Sequence, residues 1–194
     1  MDAPRNDATR PLYDHLERLL FTEAEIKARL VEMGAQITAE YEDRRQLTIV
    51  TILQGGMLFM ADLIREIHLP MKVDSISVSS YHGGTESSGT ITFNENRLPD
   101  LKDRHVIVLD DILDTGHTLH AITNRFRDEC NPLSVKSCVL LSKKVDRAEK
   151  IEADFYGFEV ENEFVVGYGL DYNGEYRNLP EIGVLKPEFY THEA

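Results

Sequence analysis

The sequence predicts an open α/β fold, a mainly parallel sheet flanked by helices, and three observations carry that expectation. Short β-branched runs alternate with segments of helical spacing. One run, Val106-Ile107-Val108-Leu109, is aliphatic throughout, as a strand covered on both faces must be. Carboxylates follow that run at once, at the sheet edge where open α/β folds place their ligands.

Residues 1–10 are polar and proline-bearing and read as a loose arm. From Leu12 the spacing turns helical. Thr22-Glu23-Ala24-Glu25 is a capping-box signature that predicts a helix to about Tyr41, with Ile26, Leu30, Met33 and Ile37 on one face. Leu47 to Leu53 is a β-branched strand ended by Gln54-Gly55-Gly56, and Met57 to Ile67 returns to helical spacing. Met71 to Ser80 reads as another strand, and residues 82–89 as a polar, glycine-rich loop. After Val106–Leu109 come a helix from about His117 and a strand from Ser134 to Leu141; residues 151–190 hold short strand-like pieces between polar turns. With no internal repeat and no linker-like tract, residues 1–194 are expected to form one domain.

Composition narrows the function classes. Asp and Glu number 34 against 21 Lys and Arg, a formal charge of −13, which opposes binding to a polyanion such as nucleic acid. Apolar residues at 42% and charged residues at 28% are too apolar a balance for a disordered chain. Cys130 and Cys138 are too few for a disulfide framework and lack zinc-site spacing, so both read as ordinary core or surface residues. The N-terminal stretch has no basic segment followed by an apolar one, and the longest apolar run, Met57 to Ala61, is far below the ~18 residues of a membrane span. A cytoplasmic setting without membrane association is expected.

Chemistry concentrates in Val106 to Leu119. A buried strand delivers Asp110 and Asp111 to the sheet edge, Asp114 follows, and Thr115-Gly116-His117-Thr118 opens a helix whose free N–H groups, hydroxyls and dipole suit a phosphate monoester. Acids beside an anion site call for a polyol, a divalent cation or a proton to remove. Taken alone, Asp-Asp after a strand equally fits solvated turn residues or a receiver-like signalling module. The fourteen-residue pattern as a whole resembles the phosphoribosyl diphosphate (PRPP) signature of type I phosphoribosyltransferases. Leu53-Gln54-Gly55-Gly56, Ser80-Tyr81, Lys143 and the stretch Glu163 to Tyr172 follow in the order seen in the hypoxanthine-guanine members of that family.

The resemblance implies a type I phosphoribosyltransferase fold with a small hood from the chain ends, and an enzyme of purine salvage. Such an enzyme joins hypoxanthine or guanine to PRPP with Mg2+, giving IMP or GMP and pyrophosphate. It implies that Asp110 and Asp111 hold the ribose hydroxyls and magnesium, although Asp110 stands where Glu is usual. Asp114 becomes the acid or base at purine N7. Thr115, Gly116, His117 and Thr118 surround the 5′-phosphate, His117 through its amide alone. Gln54 and Gly55 meet pyrophosphate through the main chain, with Arg177 as a second contact, while Ser80, Tyr81 and residues 82–89 form a mobile lid. Lys143 donates to the 6-oxo group, Phe164 stacks on the base, Val165 meets its edge, and Asp171 holds a second magnesium. Lys144, Arg147 and Lys150 read instead as a solvated basic stretch. Family analogy implies a homodimer or homotetramer. Two rivals stand beside this reading: an RNA-binding regulator of the same fold, which the −13 charge opposes, and the receiver-like module, which leaves Thr115 to Thr118 unexplained.

Overall fold

The structure, a computed structural model, describes residues 11–80, 91–93, 98–147 and 151–190. The expected arm, Tyr81 with loop 82–89, and Lys150 lie outside them. In chain order the elements are β1 (Leu16–Phe21), α1 (Glu23–Tyr41), β2 (Leu47–Leu53), α2 (Gly56–Glu66), β3 (Met71–Ser80), β4 (Ile91–Phe93), β5 (His105–Leu113), α3 (His117–Cys130), β6 (Ser134–Lys143), β7 (Phe155–Val160), β8 (Val165–Val166) and β9 (Ile182–Leu185). Short 3-10 turns span Pro11–His15 and Pro187–Phe189.

The main sheet has the order β4-β3-β2-β5-β6-β7, its five strands from β3 to β7 parallel and β4 antiparallel at the edge. Side-chain alternation explains why it is covered twice. Ile49, Ile107, Leu109 and Leu140 face α1 and α2, where they meet Ile26, Leu30, Met33, Ile37, Phe59 and Leu63. Val50, Ile52, Val106, Val108 and Val139 face the other way, onto Leu119, Ile122 and Phe126 of α3. The units β2-α2-β3 and β5-α3-β6 therefore run outward from the β2/β5 boundary with their helices on opposite faces. At that boundary the order reverses, which opens a crevice beyond the carboxyl ends of β2 and β5.

The capping box closes α1 as its sequence predicts. Thr22 N–H donates to Glu25 Oε2 at 2.8 Å, and Glu25 N–H donates to Thr22 Oγ1 at 3.3 Å. Thr22→Ala is expected to cost about 1 kcal/mol of stability. Urea denaturation would read this as a lower midpoint at unchanged slope, and an unchanged midpoint would show that α1 starts without its cap.

Helical spacing from Leu12 proves misleading. Pro11–His15 is a 3-10 turn, and Leu16–Phe21 is β1, paired antiparallel with β9. Its register slips between Leu16 and Arg18 and again between Leu19 and Phe21. Two such irregularities erase the period of two, so Leu16, Leu19 and Leu20 imitate a helix face. With β8, these strands make a three-stranded sheet from both chain ends, packed on Leu16, Val166, Tyr176, Leu179 and Leu185. Strands β5 and β6 also run further than their aliphatic cores. Asp110, Ile112 and Leu113 continue the ladder opposite Val139, Leu141 and Ser142, which carries the acidic pair into the sheet itself.

Candidate active site

The crevice at the β2/β5 boundary is a cavity of about 380 Å³. Its walls bring together Gln54, Gly55, Asp110, Asp111, Asp114, Thr115, Gly116, Thr118, Asp171 and Arg177 from four separate stretches of chain. On the β2 side the Leu53–Gln54 peptide is cis, and α2 begins directly behind it with no side-chain cap. On the β5 side Gly116 is the N-cap of α3 at φ +85°, again without a side-chain cap. Two helix N-termini thus face one crevice, each offering backbone N–H groups to an anion.

Between them lies the acidic pair. Asp111 N–H donates to Asp110 Oδ1 at 3.0 Å, and Ile112 N–H donates to Asp111 Oδ1 at 2.8 Å. Burial pushes Asp110 well above the ordinary carboxylate range, and the neighbouring Asp111 charge adds to it. Burial also raises Asp111, against hydrogen bonds from Asp110 and Ile112 and the nearby Arg177 charge. Two desolvated carboxylates side by side favour a positive partner, and the nearby Arg177 supplies only part of that charge. Gly55 touches this pair: a Cβ there would sit 1.8 Å from Asp111 Oδ2.

Two ion pairs frame the crevice. Lys143 Nζ lies 2.7 Å from Asp114 Oδ2, with the lysine side chain 12% exposed at the end of β6. Arg177 donates through Nη2 to Asp171 Oδ1 at 2.8 Å and through Nη1 to the Gly169 carbonyl at 2.6 Å. Its Nε is buried without a partner among the described residues. The second Asp171 oxygen accepts the Gly174 N–H at 2.7 Å. Gly169, at φ +102°, packs so closely on the β2 turn that a Cβ would meet the Gly55 carbonyl oxygen at 2.3 Å. Behind this segment Tyr168 Oη donates to Asp62 Oδ2 of α2 at 2.6 Å.

Not every expected residue reaches the cavity wall. His117 is half-buried beside it, Val165 is buried in β8, and Lys143 reaches the site only through Asp114. Phe164 is 37% exposed and already stacked on Tyr190, with centroids 4.7 Å apart at 18°, and Tyr172 meets it edge-on. Tyr81 lies outside the described residues, as does the side chain of Ser80. The sequence reading missed the apolar wall of Ile52, Val78, Leu113 and Leu119, although strand alternation and helix spacing could have marked it. It also missed Tyr190, for which no local pattern gives notice, and gave no role to Tyr168 inside the Glu163 to Tyr172 stretch. Arg147 requires a correction. Lys144 is solvated, its side chain 51% exposed, but that of Arg147 is 11% exposed and folds back on the end of β6.

The sequence profile of the phosphoribosyl transferase domain matches residues 21–173. The chain is 44% identical over 181 residues to the hypoxanthine-guanine phosphoribosyltransferase of Streptococcus pneumoniae, covering 93% of this chain and 99% of the relative. The Staphylococcus aureus protein of the same name is 42% identical over 182 residues, with 93% and 100% covered. The crystal structure of a hypoxanthine phosphoribosyltransferase from Staphylococcus aureus superposes with a TM-score of 0.89 at 41% identity, covering 95% of this chain and 99% of that one.

Proposed function

The chain belongs to the phosphoribosyltransferase family, and we propose that it serves purine salvage by transferring the phosphoribosyl group of PRPP to hypoxanthine or guanine. The bond from C1 of the ribose to the pyrophosphate oxygen breaks, a bond from C1 to purine N9 forms, and the base gives up one proton. Products are IMP or GMP and pyrophosphate.

The observation that most supports this reading is the Lys143–Asp114 pair at the mouth of a crevice with two helix N-termini. On a 6-oxopurine, O6 and N7 are neighbours on one edge. A cationic donor and a carboxylate 2.7 Å apart match that edge, Lys143 donating to O6 while Asp114 accepts the proton at N7. Adenine offers a 6-amino group instead, which would leave the ammonium unpaired. Phe164 stacks on the base with the face Tyr190 leaves open, and Val165 meets its edge through the main chain.

The other groups divide PRPP between them. Backbone N–H groups and hydroxyls of Thr115, Gly116, His117 and Thr118 hold the 5′-phosphate at the start of α3. Asp110 and Asp111 take the ribose hydroxyls. The Gln54-Gly55 amides and Arg177, whose Nε has no partner among the described residues, take pyrophosphate. Negative charge then develops on the leaving group while the sugar turns oxocarbenium-like, so donors at one end and carboxylates at the other both stabilise the transition state.

The donor set also fits Mg2+. No three carboxylate, imidazole or thiolate side chains among the described residues converge on one point, and magnesium needs only one or two carboxylates when substrate phosphates and water complete its shell. Asp110 and Asp111 would hold one ion and Asp171 a second. Magnesium, when bound, neutralises charge on the diphosphate. No described helix is long and apolar enough to cross a membrane, and we assign the enzyme to the cytoplasm. We assign it one domain over residues 1–194 and a homodimeric or homotetrameric state, to be checked by light scattering, where a monomeric mass would refute the assembly.

The deciding experiment is pyrophosphate release from PRPP with hypoxanthine, guanine, xanthine and adenine in parallel, with magnesium and with chelator. Release is expected with hypoxanthine or guanine, with adenine slower by roughly 10²-fold or more, and none in chelator. No release with any base would overturn the reading, and full activity in chelator would remove the metal from it.

A further inference from the structure

Arg147 is a largely buried cation, its side chain 11% exposed, that the chemistry above leaves without a role. Its Nη2 donates to the Lys143 carbonyl at 2.9 Å and to Ser142 Oγ at 2.8 Å. Its Nη1 donates to Glu152 Oε1 at 2.7 Å and toward the Ile151 carbonyl at 3.5 Å. Its Nε is buried with no partner among the described residues. An ion pair is the ordinary reason to bury a guanidinium, yet the Glu152 side chain is 84% exposed, where such a pair contributes little. What the buried fork does instead is grip the last two residues of β6.

That grip lies one peptide away from the proposed base contact. Lys143 ends the ladder opposite Val160, and the next N–H, Lys144, donates back to Val160 at 2.8 Å. The carbonyl between them accepts from Arg147, so the 143–144 peptide plane is held on both sides. A fixed peptide plane fixes the direction in which the Lys143 side chain leaves the strand. From there a flexible four-carbon stem must bring its ammonium to Asp114.

We propose that Arg147 is a positioning residue: it clamps the Lys143 main chain so that the ammonium stays beside Asp114, ready for the 6-oxo group of the base. The proposal deepens the reading of Lys143 given above and rests on it for the identity of the ligand. A rigid planar fork that holds Ser142 and Lys143 through one nitrogen and Glu152 through another sets a geometry that the single ammonium of a lysine could not span.

Two readouts test it, one independent of turnover. The first is reductive methylation of native protein, followed by mass spectrometry of the Lys143 peptide. The second is steady-state kinetics with hypoxanthine and PRPP varied separately. In Arg147→Gln, methylation of Lys143 is expected to rise several-fold and KM for hypoxanthine about tenfold, with KM for PRPP within about twofold, the scale of one lost backbone hydrogen bond. Arg147→Lys, which keeps charge and most of the volume, is expected to fall between these and the parent. Glu152→Gln, which spares the Lys143 contact, should match the parent in both readouts. The proposal is overturned if Lys143 methylation is unchanged in folded Arg147→Gln, or if both KM values rise together. It is equally overturned if Glu152→Gln behaves like Arg147→Gln. Should Arg147→Gln fail to fold, Arg147→Lys decides on the same criteria. A parent protein inactive with every base would refute the salvage function, while the methylation arm would still decide the clamp.

Discussion

Asp114→Asn is expected to lower turnover by roughly 10²–10⁴-fold, the usual contribution of a positioned proton acceptor. Asparagine has nearly the shape of aspartate, so the crevice keeps its form. The side chain is 44% exposed, a setting in which substitution costs little stability. What disappears is the acceptor for the N7 proton and the counter-charge of Lys143, whose Nζ lies 2.7 Å from the carboxylate. Both halves of base recognition are therefore disturbed, and KM for hypoxanthine should rise along with the fall in kcat. PRPP binding should survive, because the phosphate contacts assigned to Thr115 through Thr118 come from the start of α3. Single-turnover kinetics with hypoxanthine and titration calorimetry with PRPP separate the two. Near-normal turnover in the mutant would remove Asp114 from the proton transfer, and loss of PRPP affinity would move it to the sugar site.

Legibility in the sequence follows how local the determining physics is. The Thr22 box, the strand Met71–Ser80 and the start of α3 at His117 depend on neighbours within a turn, and each stands where its pattern predicts. The acids at the carboxyl end of β5 were legible too, whereas the reversal of strand order at the β2/β5 boundary was not, because βαβ units can equally wind on in one direction. Contacts between residues distant in sequence were not. Strand β1 owes its conformation to β9, about 165 residues away, and its two register slips hide the alternation that would have marked it. Arg147 sits in a run of charges that composition reads as solvated, and only the turn after β6 folds it inward. Only the family resemblance marks Phe164, which its own sequence would place in a core strand, and the Tyr190 on which it stacks has no signature of its own.

Gly169 shows what close approach adds to conformational freedom, and Gly169→Ala is expected to be among the most damaging single changes in the protein. Both Gly169, at φ +102°, and Gly174, at φ +82°, adopt a backbone conformation that costs an L-residue about 1–2 kcal/mol. They differ in space. A Cβ at Gly174 meets nothing within 4 Å, whereas at Gly169 it would lie 2.3 Å from the Gly55 carbonyl oxygen. That oxygen belongs to backbone and cannot swing aside, so overpacking adds a further ~1–3 kcal/mol. Damage at Gly169 also spreads into the site. Its N–H donates to the Arg177 carbonyl at 3.1 Å and its own carbonyl accepts from Arg177 Nη1 at 2.6 Å. A displaced Gly169 therefore moves Arg177 and Asp171, and pushes the Gly55 turn against Asp111. Urea denaturation should give a loss of roughly 2–5 kcal/mol for Gly169→Ala against about 1–2 kcal/mol for Gly174→Ala, with KM for PRPP raised in the first alone. Equal losses for the two variants would mean that the 169–55 contact is not tight in solution, and an unchanged KM for PRPP in Gly169→Ala would separate this contact from pyrophosphate binding.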